Sequence, residues 1–171
     1  MLNRQLTYQK LADYMKALAD NHTAINSFIS YSEKELATEM RKRQALTYPA
    51  LVLFGYSGKL DGNKQRTFAE RSIAFAIVSK VDKRDDFQAQ YQAINDAEQI
   101  GLSVLSRINY DSKQPAIEWL YNAFDKNSVR FSEITGRETD NLFGMEFHFE
   151  LKNKEPLIID AADWADIDTT C

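Results

Sequence analysis

One cysteine, Cys171, leaves no possibility of a disulfide within the chain, which suits a reducing compartment. With two histidines beside it, the chain has three Cys and His side chains in all, none at ligand spacing, so conventional structural zinc is excluded. Long apolar runs are also missing. The richest, YPALVLFGY from Tyr48 to Tyr56, falls far short of the ~20 residues that a helix needs to cross a bilayer. The opening MLNRQLT has no apolar signal core, so the protein is expected to stay in the cytoplasm where it is made, and the sequon Asn21-His22-Thr23 to be without consequence. A basic surplus is lacking too: 21 Lys and Arg face 25 Asp and Glu, giving a net charge of −4. Phosphate neutralisation needs the opposite balance, so neither general nor sequence-specific nucleic-acid binding is expected. Glycine and proline number only six and three, and no linker or repeat divides the 171 residues. One domain over residues 1–154 is expected, followed by an acidic docking or flexible segment, 155–171.

The residues present support an ordinary folded domain. With 44% hydrophobic residues at this length, the chain can bury a core without cross-links. Tyr8, Leu11, Met15 and Leu18 recur at three- and four-residue spacing behind Thr7, which predicts a capped amphipathic helix over 8–20. Residues 25–31 read equally as strand or helix. Ser32-Glu33-Lys34-Glu35 matches a capping box, predicting a helix to Gln44 that Tyr48-Pro49 closes off. Residues 50–56 and 67–81 are rich in Val, Ile and Phe around turn residues 61–64, predicting a long antiparallel hairpin. After an Asp86 N-cap, one helical face is expected to run through Phe87, Tyr91, Ile94, Ala97, Gly101, Leu105 and Ile108. Gly101 on that face suggests close packing on a sheet, at a cost of up to about 1 kcal/mol against alanine. Around Ile117, Leu120, Tyr121 and Phe124 a helical turn or two is expected. A strand over 129–135 and a turn over 136–141 then lead to Phe143, Met145, Phe147, Phe149 and Leu151, which alternate with Gly144, Glu146, His148, Glu150 and Lys152. Period two with one polar face implies an antiparallel sheet covered by helices on its other side, hence an α+β two-layer domain.

The residues offer little to reaction chemistry. Nucleophilic catalysis needs Ser or Cys with an oriented base, and no triad is visible around His22, His148 or Cys171. His148 between Glu146 and Glu150 reads as a surface pair, and His22 as a helix-end residue. Asp160, Asp163, Asp166 and Asp168 crowd the C-terminal segment without the Gly and Glu positions of a calcium loop. Pro156, Leu157, Ile158, Ile159 and Trp164 within that acidic segment are what a docking segment carries. Gly55-Tyr56-Ser57-Gly58-Lys59-Leu60 has neither the spacing nor the Ser/Thr of a phosphate loop. Lys34 with Arg41-Lys42-Arg43 is a basic patch at a helix end, where cations meet the helix dipole. No catalytic residue, cofactor or metal is expected.

The order of segments carries a resemblance. NHTAINSF, EKELATEMRKR, YPALVLFGYSGKL, RTFAERSIAFAIV, DAEQIGLSVLSRI and ETDNLFGMEFHFEL follow one another over about residues 20–155. This series resembles the tail-terminator, tail-completion and neck-ring proteins of phages and phage-like contractile particles. The run Asp140 to Phe149 is the most telling match, and residues 113–127 lie outside the pattern. The resemblance implies a virion or particle subunit that assembles edge to edge into a ring, touching tail tube, sheath or connector proteins. Subunit contacts are expected at Ser57, Gly58, Lys59, Asp61, Asn63, Lys64 and Arg66 on the hairpin tip, and at Trp164. Rival readings are an acidic immunity or adaptor protein that binds a protein partner, and a small enzyme using Glu146, His148 and Glu150.

Overall fold

Thr7 starts the first helix by accepting a hydrogen bond from the Lys10 N–H through its hydroxyl, as its spacing predicts. In a computed structural model, which describes residues 6–30, 46–63, 66–83, 85–135 and 141–167, helix α1 spans Tyr8–Asn21. The His22 backbone N–H reaches Ala19 to end it, and the His22 Nδ1 accepts from the Ala24 N–H at 3.2 Å, so this histidine finishes a turn. The expected capping box at 32–35, its helix to Gln44 and the basic patch lie outside the described residues.

Strand β1 (Ser27–Ser30) resolves the ambiguous stretch, and it pairs parallel to β2 (Ala50–Asn63), with Ser27 opposite Ala50. The sheet is therefore mixed rather than antiparallel throughout. A parallel neighbour needs a crossover of about a dozen residues or more, and the chain between Ser30 and Ala50 is long enough to provide it. Strand β3 (Arg66–Lys80) pairs antiparallel with β2 along its whole length, and β5 (Leu142–Lys154) pairs with β3 on one side and with β4 (Phe124–Ile134) on the other. The order is β1-β2-β3-β5-β4, an α+β domain with the long hairpin and the C-terminal hairpin both present. Strand β4 begins at Phe124 instead of residue 129, because Phe124 and Asp125 already pair with Leu151 and Glu150 before a register shift leads to Arg130 opposite His148. Residues 114–123 wind in successive turns, with N–H groups of Ile117, Leu120 and Ala123 bonding three residues back, as the expected helical turns require.

Helix α2 (Phe87–Asp111) begins where expected, with the Asp86 carboxylate accepting from the Ala89 N–H at 3.0 Å. Its buried face holds the expected Ala97, Gly101, Leu105 and Ile108, with Ile94 packed beside them, and departs from expectation at the first two residues. Ala93, Ala97, Ile100, Gly101, Val104, Leu105 and Ile108 face the sheet, whereas Phe87 and Tyr91 are 64% and 67% exposed. The first turns pack on Val81 and Phe143 through Ala89, Ala93 and Ile94, while farther along Phe75, Phe147 and Phe149 fill the interlayer space, with Phe75 and Phe147 stacked at 5.1 Å, so the helix offers its small residues there. A Cβ on Gly101 would stand 2.0 Å from Phe147 Cε2, which establishes the close approach. Helix α1 contributes Leu11, Met15 and Leu18 to the same core.

The opposite sheet face is not uniformly polar. Ile29, Ala50, Val52, Ala76 and Val78 form a second buried cluster there, beside the partly buried Tyr48, Phe54 and Ile134. Alternation in β5 alone marks only the part of that face where Glu146, His148 and Glu150 stand; the part made by Ile29, Ala50, Val52, Ala76 and Val78 is apolar.

Two polar clusters fasten the layers. The Tyr14 hydroxyl donates to Asp111 Oδ2 at 2.8 Å, while Arg107 Nε bonds both Asp111 oxygens at 2.9 and 3.0 Å, joining α1 to the end of α2. Burial, then the hydrogen bond to Asp111, raises the Tyr14 pKa well above its ordinary 10.0. The folded state thus holds this proton more tightly than the unfolded chain. The associated stability is intact below pH 10 and is lost as pH climbs from there toward the folded value. Tyr14→Phe should remove this part of the alkaline slope in urea-denaturation curves taken between about pH 9 and 11, at most ~1.4 kcal/mol per pH unit for one group.

Candidate functional site

The expected contact residues gather on the β2–β3 hairpin, but along paired strands rather than on a tip. Ser57, Gly58 and Lys59 stand opposite Ser72, Arg71 and Glu70, and pairing continues to Asn63 opposite Arg66. Regular cross-strand pairing overrides the two glycines that made this stretch read as turn. The Asp61 carboxylate accepts from the Gly62 N–H at 2.6 Å, and Asn63 Oδ1 accepts from the Arg66 N–H at 3.0 Å, so both side chains shape the hairpin end. Gly62 itself has φ +128°, a conformation that excludes most other residues. Lys64 lies outside the described residues. Trp164 belongs to the segment after β5, following a short 3-10 turn at Ala161–Asp163 that Asp160 caps, and its side chain is exposed.

A bulge between Leu53 and Gly55 decides which side chains face which way. Before it, Leu51 and Leu53 point toward the helices. Beyond it the phase flips, so Tyr56, Gly58 and Leu60 take the helix side, opposite Ile73, Arg71 and Ala69, while Ser57, Lys59 and Asp61 share the other face with Ser72 and Glu70. Tyr56 meets Tyr8 edge-on at 5.3 Å, and the Tyr8 hydroxyl is 2.7 Å from that of Ser30. Leu60 is exposed.

Charges alternate across four strands of the hairpin's other face. Lys59 on β2 approaches Glu70 on β3 at 2.8 Å, Glu70 approaches Lys152 on β5 at 3.4 Å, and Lys152 approaches Asp125 on β4 at 3.4 Å. The Lys59 hydrogen bond holds the Glu70 carboxyl below its ordinary pKa, and the same bond raises that of Lys59. Such a ladder favours the pairing of these four neighbouring strands.

The margin of this hairpin is its chief feature. Strand β1 covers β2 only from Ala50 to Leu53, so among the described residues β2 has no strand partner on its outer side over 54–63. Every second residue there directs its N–H and C=O away from β3, a template for another strand. Sequence reasoning found the margin but missed what anchors it. Arg71 on β3 is buried, with Nη2 3.0 Å from Glu155 Oε2 and 3.4 Å from the Leu6 carbonyl, and Nη1 3.4 Å from Asn153 Oδ1. The Asn153 side-chain amide in turn donates to the Trp119 carbonyl. An arginine at the helix-facing phase of an otherwise apolar strand was the available signal. Glu155, read as the first acid of a solvated segment, is built into the sheet end, and its N–H also bonds the Thr67 carbonyl at 3.0 Å.

Other candidates are arranged less tightly. His148 Nε2 lies 3.5 Å from Glu146 Oε1, which also accepts from the Ser132 hydroxyl at 2.9 Å, and Phe54 meets the imidazole edge-on at 6.3 Å. Both side chains stand on an open sheet face, as a surface pair. An open groove of about 460 Å³ runs beside the start of α2, where Lys80, Lys83, Asp82, Asp86 and Asp96 mix both signs of charge. Among the described residues no three metal-ligating side chains converge, and no helix is long and apolar enough to cross a membrane. No protein-family model matches the chain, and comparison with curated proteins finds no match.

Proposed function

We propose that this chain is a structural subunit that acts by self-association, closing a ring at the end of a phage-tail-like particle or at its head-tail joint. The observation that carries self-association is the β2 margin over 54–63, which has no strand partner among the described residues and lies beside the Lys59–Glu70–Lys152–Asp125 ladder. Natural sheets protect such margins or use them, since an exposed row of backbone donors and acceptors pairs readily with another chain. Assignment to a particle rests on the resemblance in segment order, from NHTAINSF to ETDNLFGMEFHFEL. Tail tube, sheath or connector proteins would meet the assembled ring.

Size-exclusion chromatography with light scattering tests the association directly. One discrete oligomer, seen as rings in negative stain, is the expected outcome at micromolar concentration. A strictly monomeric protein across the accessible range, or a tight one-to-one complex with an unrelated protein, overturns the reading; the latter would favour the immunity or adaptor alternative.

A further inference from the structure

We propose that residues 156–159 of one copy form the strand that docks on the β2 margin of the next. This rests on the self-association reading and names the partner at that site.

Leu157, Ile158 and Ile159 are consecutive, lie outside helix and sheet, and are 63%, 64% and 60% exposed. Single exposed apolar side chains are ordinary, but three in a row mark a segment whose burial partner lies elsewhere. Two are β-branched, the type that strands favour. Pro156 ahead of them suits the first position of an added strand, where a missing N–H costs nothing.

The margin fits such a strand in shape. On its helix side Tyr56 and Leu60 flank Gly58, so a notch without a side chain separates two exposed apolar residues. Leu157 and Ile159 share one face of an extended segment, and one of them fits over Gly58 between Tyr56 and Leu60 as a cross-strand neighbour. Charge agrees with shape. Asp160, Asp163 and Asp166 follow the apolar residues, while the hairpin end carries Arg66. Each sign then faces its opposite when the segment runs toward the hairpin end.

A second copy, not the chain's own margin, is the partner for a geometric reason. Glu155 is held by Thr67 and Arg71 on the β3–β5 side of the sheet. Reaching a strand position outside β2 means crossing three strand spacings, from β5 past β3 and β2, roughly 14 Å, which consumes about four residues at ~3.3 Å each. Nothing would remain of 156–159 to pair. Donor segment and acceptor margin are thus different surfaces on different sides of the molecule, the head-to-tail arrangement that closes into rings.

Two experiments decide the matter. Leu157→Ser/Ile158→Ser/Ile159→Ser alters only exposed side chains beyond Glu155, so its circular dichroism and melting temperature should match those of the unaltered chain. Its self-association constant should weaken about a hundredfold or more, since 1.4 kcal/mol is tenfold and three apolar contacts are removed. In a Cys171→Ser background, mixing a Gly58→Cys chain with an Ile159→Cys chain under mild oxidation should give a crosslinked heterodimer. A monomeric unaltered chain overturns the self-association reading. An oligomer that survives the triple serine change with its affinity intact leaves that reading standing and overturns this one. So does a Gly58→Cys/Ile159→Cys double variant that crosslinks only within itself.

Discussion

Arg71→Met is expected to destabilise the fold by about 3–5 kcal/mol, because it strands the Glu155 carboxylate in a buried position without its cation. The two side chains are 10% and 8% exposed and 3.0 Å apart, so solvent offers the abandoned carboxylate little relief. Losses go beyond the ion pair. Arg71 also reaches the Leu6 carbonyl and Asn153, so one guanidinium ties the start of the described chain, the central strand β3 and the end of β5. Urea denaturation should show a lower midpoint for Arg71→Met than for Arg71→Met/Glu155→Leu, which removes both charges together. Equal loss in the single and double variants would show that the contacts with Leu6 and Asn153, rather than the ion pair, carry the effect. Because Glu155 sets where residues 156–159 leave the sheet, Arg71→Met should also weaken self-association in protein that remains folded.

Phe147→Ala is the second large effect, expected at about 3–5 kcal/mol for an aromatic removed from a filled core. Phe147 is fully buried, stacks on Phe75 at 5.1 Å and meets Phe131 at 5.8 Å, so its removal takes contacts from both layers of the core. Its rim also occupies the place that a side chain at position 101 would need, with Cζ 2.1 Å from the ideal Cβ. Gly101→Ala should therefore destabilise: overpacking of about 1–3 kcal/mol exceeds the ~1 kcal/mol of helix propensity gained. Gly101→Ala combined with Phe147→Leu should cost less than the sum of the two single changes, read as a coupling energy in a double-mutant cycle. Additive costs would mean that α2 shifts off the sheet to accommodate alanine, and that the helix is less firmly seated than the Phe147 contact implies.

Legibility in the sequence varied with the range of the interaction responsible. Thr7 and Asp86 were readable as caps because a cap bonds a backbone group three residues away. Asp61 and Asn63 were readable as hairpin-shaping side chains for the same reason, and the alternation of β5 was visible because both faces are written in one strand. Burial of α2 was misjudged at Phe87 and Tyr91, since the surface that its first turns meet is made by Val81 and Phe143 on other segments and is reached through Ala89, Ala93 and Ile94. The parallel pairing of β1 and the second apolar cluster were likewise hidden, because each depends on which strands become neighbours. At the candidate interface, Ser57 to Asn63 were expected on a hairpin tip, and they lie instead on a paired strand. A bulge at residue 54 and cross-strand partners on β3 made that difference.

Composition and local pattern were enough to specify an α+β chain with one cysteine, two capped helices and a long hairpin, because caps, turns and amphipathic periods act within a few residues. Assembly of those elements was needed to bury Arg71 against Glu155, to leave the β2 margin beyond Leu53 without a strand partner among the described residues, and to strand three apolar side chains outside the core. Each of those features is a relation between segments far apart in the chain. Packing chooses among such relations by excluded volume and by the satisfaction of buried polar groups, neither of which a single stretch of residues contains.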